Sequence, residues 1–184
     1  MNQGGAGMLY YTNYDSPLGS ILMLASEKAL MGLWLPGQTI DQERLAQACR
    51  RDSAPMLEQG RSWLDRYFCG QRPTPQEIPL DPQGSDFRRA VWHRLCRIPY
   101  GQLETYGQIA REMAEPKGGK MSAQAVGGAV GHNPIALIIP CHRVIGANGN
   151  LVGYGGGLAL KKRILQYEGV DIRDLHDPKR KRNQ

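Results

Sequence analysis

A cysteine and a histidine, Cys141 and His142, stand side by side in the stretch IIPCHRVIG, which covers residues 138–146. A thiol whose ordinary pKa is about 8.5 becomes a strong nucleophile when a nearby base or cation lowers that pKa. Residues 135–139 are apolar and strand-like, and Pro140 would end a strand, so we expect the thiol to emerge where an element ends. Successive side chains diverge in an extended chain, so His142 would act through a bridging water or after a turn, held by an orienting group. The pair predicts an activated, ionised thiol.

The other three cysteines have a different context. Cys49, Cys69 and Cys96 each fall on a helical pattern, where cysteine is usually a small buried hydrophobic residue. The cysteines are widely spaced and form no CxxC pair, so neither a zinc site nor a disulfide framework is indicated. We therefore expect reduced thiols and no bound metal.

The first half of the chain has the pattern of a small domain with one sheet. Residues 8–35 contain three short apolar runs separated by turn signals, which predicts a small antiparallel sheet. Helical patterns follow at residues 41–51 and 54–69, and Gly70 stands where a C-cap glycine would end the second helix. Prolines without periodicity mark residues 71–84 as a linker.

The second half is predicted to be mainly helical, which makes the fold class α+β. Ser85 or Asp86 can cap a helix that ends before Pro99. We predict a flexible leader at residues 1–7, an N-terminal domain at 8–80, a C-terminal domain at 85–170 and a basic tail at 171–184.

A helix-turn-helix is predicted inside the C-terminal domain. Thr105 and Gln108 fit a capping box at the start of a short helix. Residues 116–119 break that helix, and a further helix covers about residues 122–130. Two helices joined by a short break are the outline of the DNA-binding motif.

The second helix of this motif carries small side chains. Gly127 and Gly128 each lose about 1 kcal/mol of helix propensity relative to alanine, so something must approach the helix closely. Close helix packing inside the protein is one explanation. Entry into a DNA minor groove, which is only about 6 Å wide, is the other.

The composition indicates a soluble globular protein with a preference for polyanions. The formal net charge is +6 and the pI is about 9.3, which favours binding to phosphates. Residues 179–182 form a basic run, which we interpret as a solvated tail, with a nuclear address or a non-specific DNA contact as alternatives. No apolar run reaches the roughly 20 residues of a membrane span, and the N-terminus lacks a secretory signal, so we expect an intracellular protein.

The motif at residues 140–146, PCHRVIG, resembles the active-site signature of the O6-alkylguanine-DNA alkyltransferases, also called methylated-DNA-protein-cysteine methyltransferases. Further matching motifs follow the order of that family: Thr105-Tyr106-Gly107, Ala125 to Ala129, Asn133-Pro134, Gly153 to Leu158 and Tyr167-Glu168-Gly169. The resemblance is strong over residues 85–169 and weaker through the first half.

The resemblance implies four catalytic residues. Cys141 would take the alkyl group, His142 would remove the thiol proton through a water, and Glu168 would hold the imidazole. Tyr106 would meet the negative charge that develops on the departing guanine.

Further residues are implied in binding. The substrate-binding residues would be Val144, Tyr154 and Gly155 around the base, with Asn133 bracing the turn before the active site. The residues implied to contact DNA are Ala123, Gln124, Ala125, Gly127 and Arg143. The family usually has an arginine where this chain has Gln124, which is shorter and uncharged, so we expect weaker DNA binding.

The resemblance also implies a ribonuclease H-like N-terminal domain and a function. The chain would repair DNA by irreversible, single-turnover transfer of an alkyl group from O6-alkylguanine, and from O4-alkylthymine, to Cys141, after the base is flipped out of the duplex. It would act on double-stranded DNA as a monomer, without a cofactor and without a membrane. Its location would be the cytoplasm, or the nucleus in a eukaryote.

Three other functions fit part of the pattern. A thiol hydrolase would use the same cysteine and histidine, but no oxyanion hole is indicated. A DNA-binding regulator would leave the Cys141–His142 pair without a role. The nearest alternative is a non-catalytic helix-turn-helix protein that binds alkyl lesions, but in that group the acceptor cysteine is replaced.

Overall fold

The computed structural model describes residues 7–114 and 119–178. The chain divides into two compact units, one of Met1–Gln83 with Pro134–Ile138 and the other of Gly84–Asn133 with Ile139–Gln184. The predictions for the leader at residues 1–6, for the break at 116–118 and for the basic run at 179–182 lie outside the described residues.

A four-stranded sheet forms the centre of the first unit. Its strands are β1 (Leu9–Ser16), β2 (Gly19–Ala25), β3 (Leu30–Trp34) and β4 (Ala48–Arg50), in the order β3-β2-β1-β4. The first three strands pair antiparallel, as predicted, whereas β4 pairs parallel to β1. The sheet is therefore mixed at one edge.

Two α-helices lie beside the sheet strands in the described part of this unit, one before β4 and one after it. The helix α1 spans only Gln42–Ala46 and buries none of its residues, so the predicted helix over residues 41–51 is wrong in its second half. There the backbone pairs with the edge of β1, through Leu9 and Ala48 among others. The helix α2 spans Pro55–Phe68, close to the predicted bounds.

The ends and the packing of α2 follow from its sequence. Gly70, at φ +76°, ends the helix as predicted, and its N–H donates to the Tyr67 carbonyl at 3.0 Å. Its buried face contains Met56, Leu57, Gly60, Trp63, Leu64 and Tyr67. A Cβ at Gly60 would lie 3.1 Å from the Met23 sulfur, which shows how closely α2 lies against β2.

The segment Pro134–Ile138 adds to the first unit from far along the chain. Leu33 of β3 donates to the Pro134 carbonyl at 2.8 Å and accepts from the Ala136 N–H at 2.9 Å. The predicted strand at 135–139 is therefore only a single bridge, because the chain turns sharply at Leu137, where φ is +63°. This buried turn precedes the Pro140-Cys141 motif.

The second unit is mainly helical, as expected. Its elements are α3 (Asp86–Leu95), β5 (Glu104–Thr105), α4 (Tyr106–Ala114), α5 (Ala123–Gly131), β6 (Val144–Ile145) and α6 (Leu158–Tyr167), with a 3-10 turn at Cys141–Arg143. Both predicted caps are present, since Ser85 accepts from the Arg88 N–H at 3.3 Å and Thr105 accepts from the Gln108 N–H at 3.1 Å.

Two anchors hold the helix-turn-helix pair α4 and α5 in this unit. The buried Trp92 indole of α3 donates to the Ala129 carbonyl of α5 at 2.8 Å. Arg94 of α3 donates to Glu104 at 2.7 Å and also to Glu112 of α4 at 2.7 Å. These contacts fix both helices against α3.

Candidate active site

Cys141 lies in a tight 3-10 turn that is almost fully buried. The turn spans Cys141–Arg143, and the relative exposures of Cys141 and His142 are 5% and 0%. The parallel pairing of β5 with β6 joins Thr105 to Ile145 and so brings Tyr106 beside this turn. The thiol was expected to emerge where a strand ends, but that strand is a single bridge and the thiol is buried in the second unit.

Burial raises the pKa of the Cys141 thiol. Hydrogen bonds from Asn133 and Tyr154 and the positive charge of Lys161 act in the opposite direction, but burial is the larger effect. The expectation of an ionised sulfur is therefore wrong for the protein by itself. The thiol holds its proton until a base removes it.

His142 and Glu168 form a fully buried pair. The His142 Nε2 lies 2.9 Å from the Glu168 Oε1, and both side chains have 0% exposure. Burial lowers the pKa of His142, and Glu168 opposes this only in part, so the imidazole is neutral. The pKa of Glu168 is held below its ordinary value, against the effect of burial, by His142 and Arg143.

These charge states decide which imidazole nitrogen can accept a proton. An ionised carboxylate only accepts hydrogen bonds, so Nε2 must carry the hydrogen that it shares with Glu168. The lone pair of a neutral imidazole then lies on Nδ1. That atom is buried and has no hydrogen-bond partner among the described residues. The Nδ1 of His142 is therefore available to accept a proton.

Tyr106 begins α4 and is half-buried beside the same turn. Burial, and then the negative charge that Cys141 can carry, raise the pKa of Tyr106 to about 12. The phenol therefore keeps its hydrogen at neutral pH and can donate it.

The other predicted substrate-binding residues lie in the second unit. Asn133 donates to the Ile139 carbonyl at 2.8 Å, just before the active-site turn. Val144 is fully buried, and its carbonyl is an acceptor for Lys161. Tyr154 is half-buried and contacts the Cys141 sulfur, whereas Gly155 is exposed in the loop before α6.

The small-residue face of α5 contains two kinds of position. A Cβ at Gly127 would lie 3.7 Å from two ring carbons of Tyr106, which is ordinary van der Waals contact, so internal packing does not require a glycine at this position. A Cβ at Gly128 would meet nothing within 4 Å. Ala123, Gln124 and Ala125 are exposed on the first turn of the helix. Internal packing therefore leaves most of this face unexplained.

Arg143 was predicted to contact DNA, and the structure corrects that prediction. The residue is only 5% exposed, and its guanidinium donates to both oxygens of Glu168, each at 2.8 Å. A third donor reaches the Ile98 carbonyl at 2.6 Å. The guanidinium therefore binds acceptors inside the protein and is not exposed for contact with DNA.

Sequence reasoning missed Lys161 of α6. Its side chain is fully buried, and Nζ donates to the Val144 carbonyl at 2.6 Å and to the Leu151 carbonyl at 2.8 Å. Burial lowers the pKa of Lys161 to about 8. Its helical spacing from the buried Ile164 and Leu165 was the available signal, since it puts the lysine on the apolar face.

Among the described residues, no group of three or more His, Cys, Asp and Glu side chains gathers in a way that could hold a metal ion. No helix in the same residues is long and apolar enough to cross a bilayer.

Comparison with known proteins gives matches over both halves of the chain. Residues 9–82 match the 6-O-methylguanine DNA methyltransferase ribonuclease-like domain, and residues 86–170 match the DNA binding domain of the same family. A methylated-DNA--protein-cysteine methyltransferase from Haemophilus influenzae is 39% identical over 169 residues, covering 90% of this chain and 89% of the relative. One from Mycolicibacterium paratuberculosis is 43% identical over 162 residues, covering 88% and 93%.

Solved structures agree with these relatives. The O6-methylguanine methyltransferase of Mycobacterium tuberculosis is 40% identical, with a TM-score of 0.74 over 88% of this chain and 93% of that one. The same protein in complex with DNA is 39% identical, with a TM-score of 0.74 over 86% and 92%. On these matches, the chain belongs to the 6-O-methylguanine DNA methyltransferase family.

Proposed function

We propose that this protein repairs DNA by moving an alkyl group from O6-alkylguanine onto the sulfur of Cys141. The observation that carries the proposal is the buried Cys141-His142-Glu168 arrangement, in which a thiol adjoins a neutral imidazole that is oriented by an ionised carboxylate. Family membership supports the same activity.

The exposed face of α5 is the proposed DNA contact. Its small side chains at Ala123, Ala125 and Gly128 suit a narrow groove, and Gln124 would occupy the space that a flipped base leaves. The net charge of +6 favours a polyanion, and the relative from M. tuberculosis has been solved with DNA. The target base must leave the stack, because its alkyl carbon is out of reach inside a duplex.

The proton path in this proposal starts at the thiol. The Cys141 hydrogen passes through a water to the His142 Nδ1, and Glu168 stabilises the imidazolium that forms. The Asn133 and Tyr154 side chains and the Lys161 charge stabilise the thiolate. A neutral resting thiol fits this order, because the thiolate forms only when His142 removes the proton for alkyl transfer.

The alkyl transfer itself is a displacement at carbon. The sulfur forms a bond to the alkyl carbon as the bond from that carbon to O6 breaks, and the electron pair goes to the purine. Tyr106 donates its hydroxyl hydrogen toward the ring, so guanine leaves as a neutral base. His142 then carries the proton of the thiol and Tyr106 is a phenolate, so the two charges sum to zero until that proton returns to Tyr106.

The product is a thioether, which is a poor leaving group, so the thiol is not regenerated. The protein would act once, as a monomer, in the cytoplasm, or in the nucleus of a eukaryote. Gly155, exposed in the loop beside Tyr154, would leave room for alkyl groups larger than methyl.

The test is the mass of the intact protein after incubation with duplex DNA that contains O6-methylguanine. We expect a gain of one methyl group in exchange for hydrogen. The gain should disappear in Cys141→Ser and persist in Cys69→Ser, which removes an exposed cysteine. Binding of the duplex without a mass gain would contradict transfer and favour a lesion-binding protein.

A further inference from the structure

Arg143 is a buried cation whose position needs an explanation. Burial of an arginine is costly unless its donors are satisfied, and here the guanidinium spans both oxygens of Glu168 and reaches the Ile98 carbonyl. Its carbon Cζ also lies 5.6 Å from the centre of the Tyr100 ring. These contacts tie the active-site turn to the end of α6.

Glu168 receives four hydrogen bonds in this arrangement. His142 and Arg143 meet Oε1, while Arg143 and the N–H of Gly101, at 3.1 Å, meet Oε2. The carboxylate thus cannot rotate without losing several charged or backbone donors. The oxygen that faces His142 is therefore fixed in place.

The charge of Arg143 offsets part of the effect of Glu168 on His142. A buried carboxylate alone beside an imidazole strongly favours the imidazolium. An imidazolium has no lone pair, so it could not take the thiol proton. A guanidinium bound to the same carboxylate offsets that attraction while it leaves the hydrogen bond to Nε2 intact.

We propose that Arg143 is a positioning residue for alkyl transfer, which holds and neutralises Glu168 so that His142 stays a neutral imidazole with its Nδ1 ready to accept the thiol proton. The inference rests on the proposed function. It goes beyond that function because it makes the ability of His142 to accept a proton depend on Arg143. That residue touches neither the thiol nor the guanine being repaired.

Other groups also act on His142. Glu168 raises the pKa of His142, whereas the charges of Arg143 and of Lys161 lower it, in addition to burial. Cys141 precedes His142 in the same turn and carries charge only after it loses its proton. Lys161 is unchanged in the variants below, so any difference between them reports on the Arg143–Glu168 pair.

The test is the titration of the His142 imidazole by NMR, read without DNA, together with the single-turnover rate of methyl transfer as a function of pH. In the wild type, His142 should titrate below its ordinary value of 6.5. In Arg143→Met it should titrate higher than in the wild type, and transfer should slow by about tenfold for each pH unit below the new midpoint and recover above it. Arg143→Lys, which keeps the charge, should titrate close to the wild type.

A second comparison separates charge from packing. In the double variant Arg143→Met with Glu168→Gln, the carboxylate is gone as well, so the titration of His142 should return below that of Arg143→Met alone. Arg143→Gln provides the same loss of charge with a side chain that can still donate hydrogen bonds.

Three results would overturn the inference. One is a His142 titration in Arg143→Met that equals the wild type; another is slowing of transfer by the same factor at every pH. The third is failure of both neutral variants to fold, which would leave Arg143 with a structural role alone. Methylation of the wild-type Cys141 tests the proposed function separately, because the His142 titration needs no substrate.

Discussion

Replacing Lys161 with methionine would remove a buried ammonium beside Cys141 while keeping a side chain of similar length. The change in the free energy of unfolding is limited because two effects oppose each other. Loss of Nζ leaves the Val144 and Leu151 carbonyls without this donor, at about 1–3 kcal/mol each. The fall of the Lys161 pKa from 10.5 to about 8 means that holding the amine charged in this site costs about 3 kcal/mol, which the substitution removes. The net change is therefore smaller than about 3 kcal/mol.

The rate of alkyl transfer should fall. The positive charge of Lys161 lowers the pKa of Cys141, and each rise of that pKa by one reduces the thiolate fraction about tenfold. We expect the single-turnover rate constant of Lys161→Met at neutral pH to fall by about tenfold or more. The loss should shrink as the pH rises, because alkali ionises the thiol directly.

The assay is single-turnover methyl transfer from an O6-methylguanine duplex at saturating protein, with chemical unfolding measured on the same samples. Lys162→Met is the matched control, since Lys162 is the next residue of α6 and pairs with Asp177 at the surface, at 2.9 Å. It should transfer at the wild-type rate. A Lys161→Met protein that is folded and transfers as fast as this control would refute the reasoning.

Three further predictions concern DNA binding, pH and stability. Gln124→Arg should strengthen binding to duplex DNA, measured by fluorescence anisotropy, because it restores a cation on the exposed start of α5; unchanged or weaker affinity would count against the position. The transfer rate should not fall as the pH decreases to 6.5, because the pKa of His142 lies below that ordinary value, so a decline that begins above pH 6.5 in stopped-flow or quench experiments would contradict a neutral imidazole. Stability should decrease on acidification in two windows, because the unfolded chain protonates His142 from about pH 6.5 and Glu168 from about pH 4.5 while the folded protein does not. Thermal unfolding temperatures that do not change from pH 7 to pH 4 would be inconsistent with the lowered pKa values of His142 and Glu168.

Local signals in the sequence predicted the elements that local hydrogen bonds determine. The capping box at Thr105 and Gln108 and the glycine stop at Gly70 are both present in the structure. These features depend on residues within one helical turn, so a single sequence contains everything that they need. The helix bounds that they set were accordingly close to the observed ones.

Elements that depend on distant partners were predicted less well. Residues 48–50 read as helix because their spacing fits one, but pairing with β1 made them a strand. Residues 135–139 read as a strand because they are apolar, yet only one bridge to Leu33 forms before the turn at Leu137. Neither partner could be identified from the local pattern.

The charged side chains of the site show the same limit. Arg143 was assigned to DNA from the family resemblance, and nothing in its neighbourhood indicated that Glu168, 25 residues later, would accept from its guanidinium. Cys49 and Cys69 were expected to be buried, but both are exposed, whereas Cys141 is buried. In each case the exposure depends on tertiary packing, which the local sequence does not specify.

The exposure of the thiols determines which of them reagents from solvent reach first. Small oxidants and electrophiles that arrive from solvent meet Cys49 and Cys69 first, both of which are open to attack, while the sulfur of Cys141 is covered. A thiol that keeps its proton is also a slow reactant toward peroxides, because the thiolate is the species that they oxidise. The acceptor sulfur is thus sheltered from reagents in solvent, which matters for a protein that can use this atom only once.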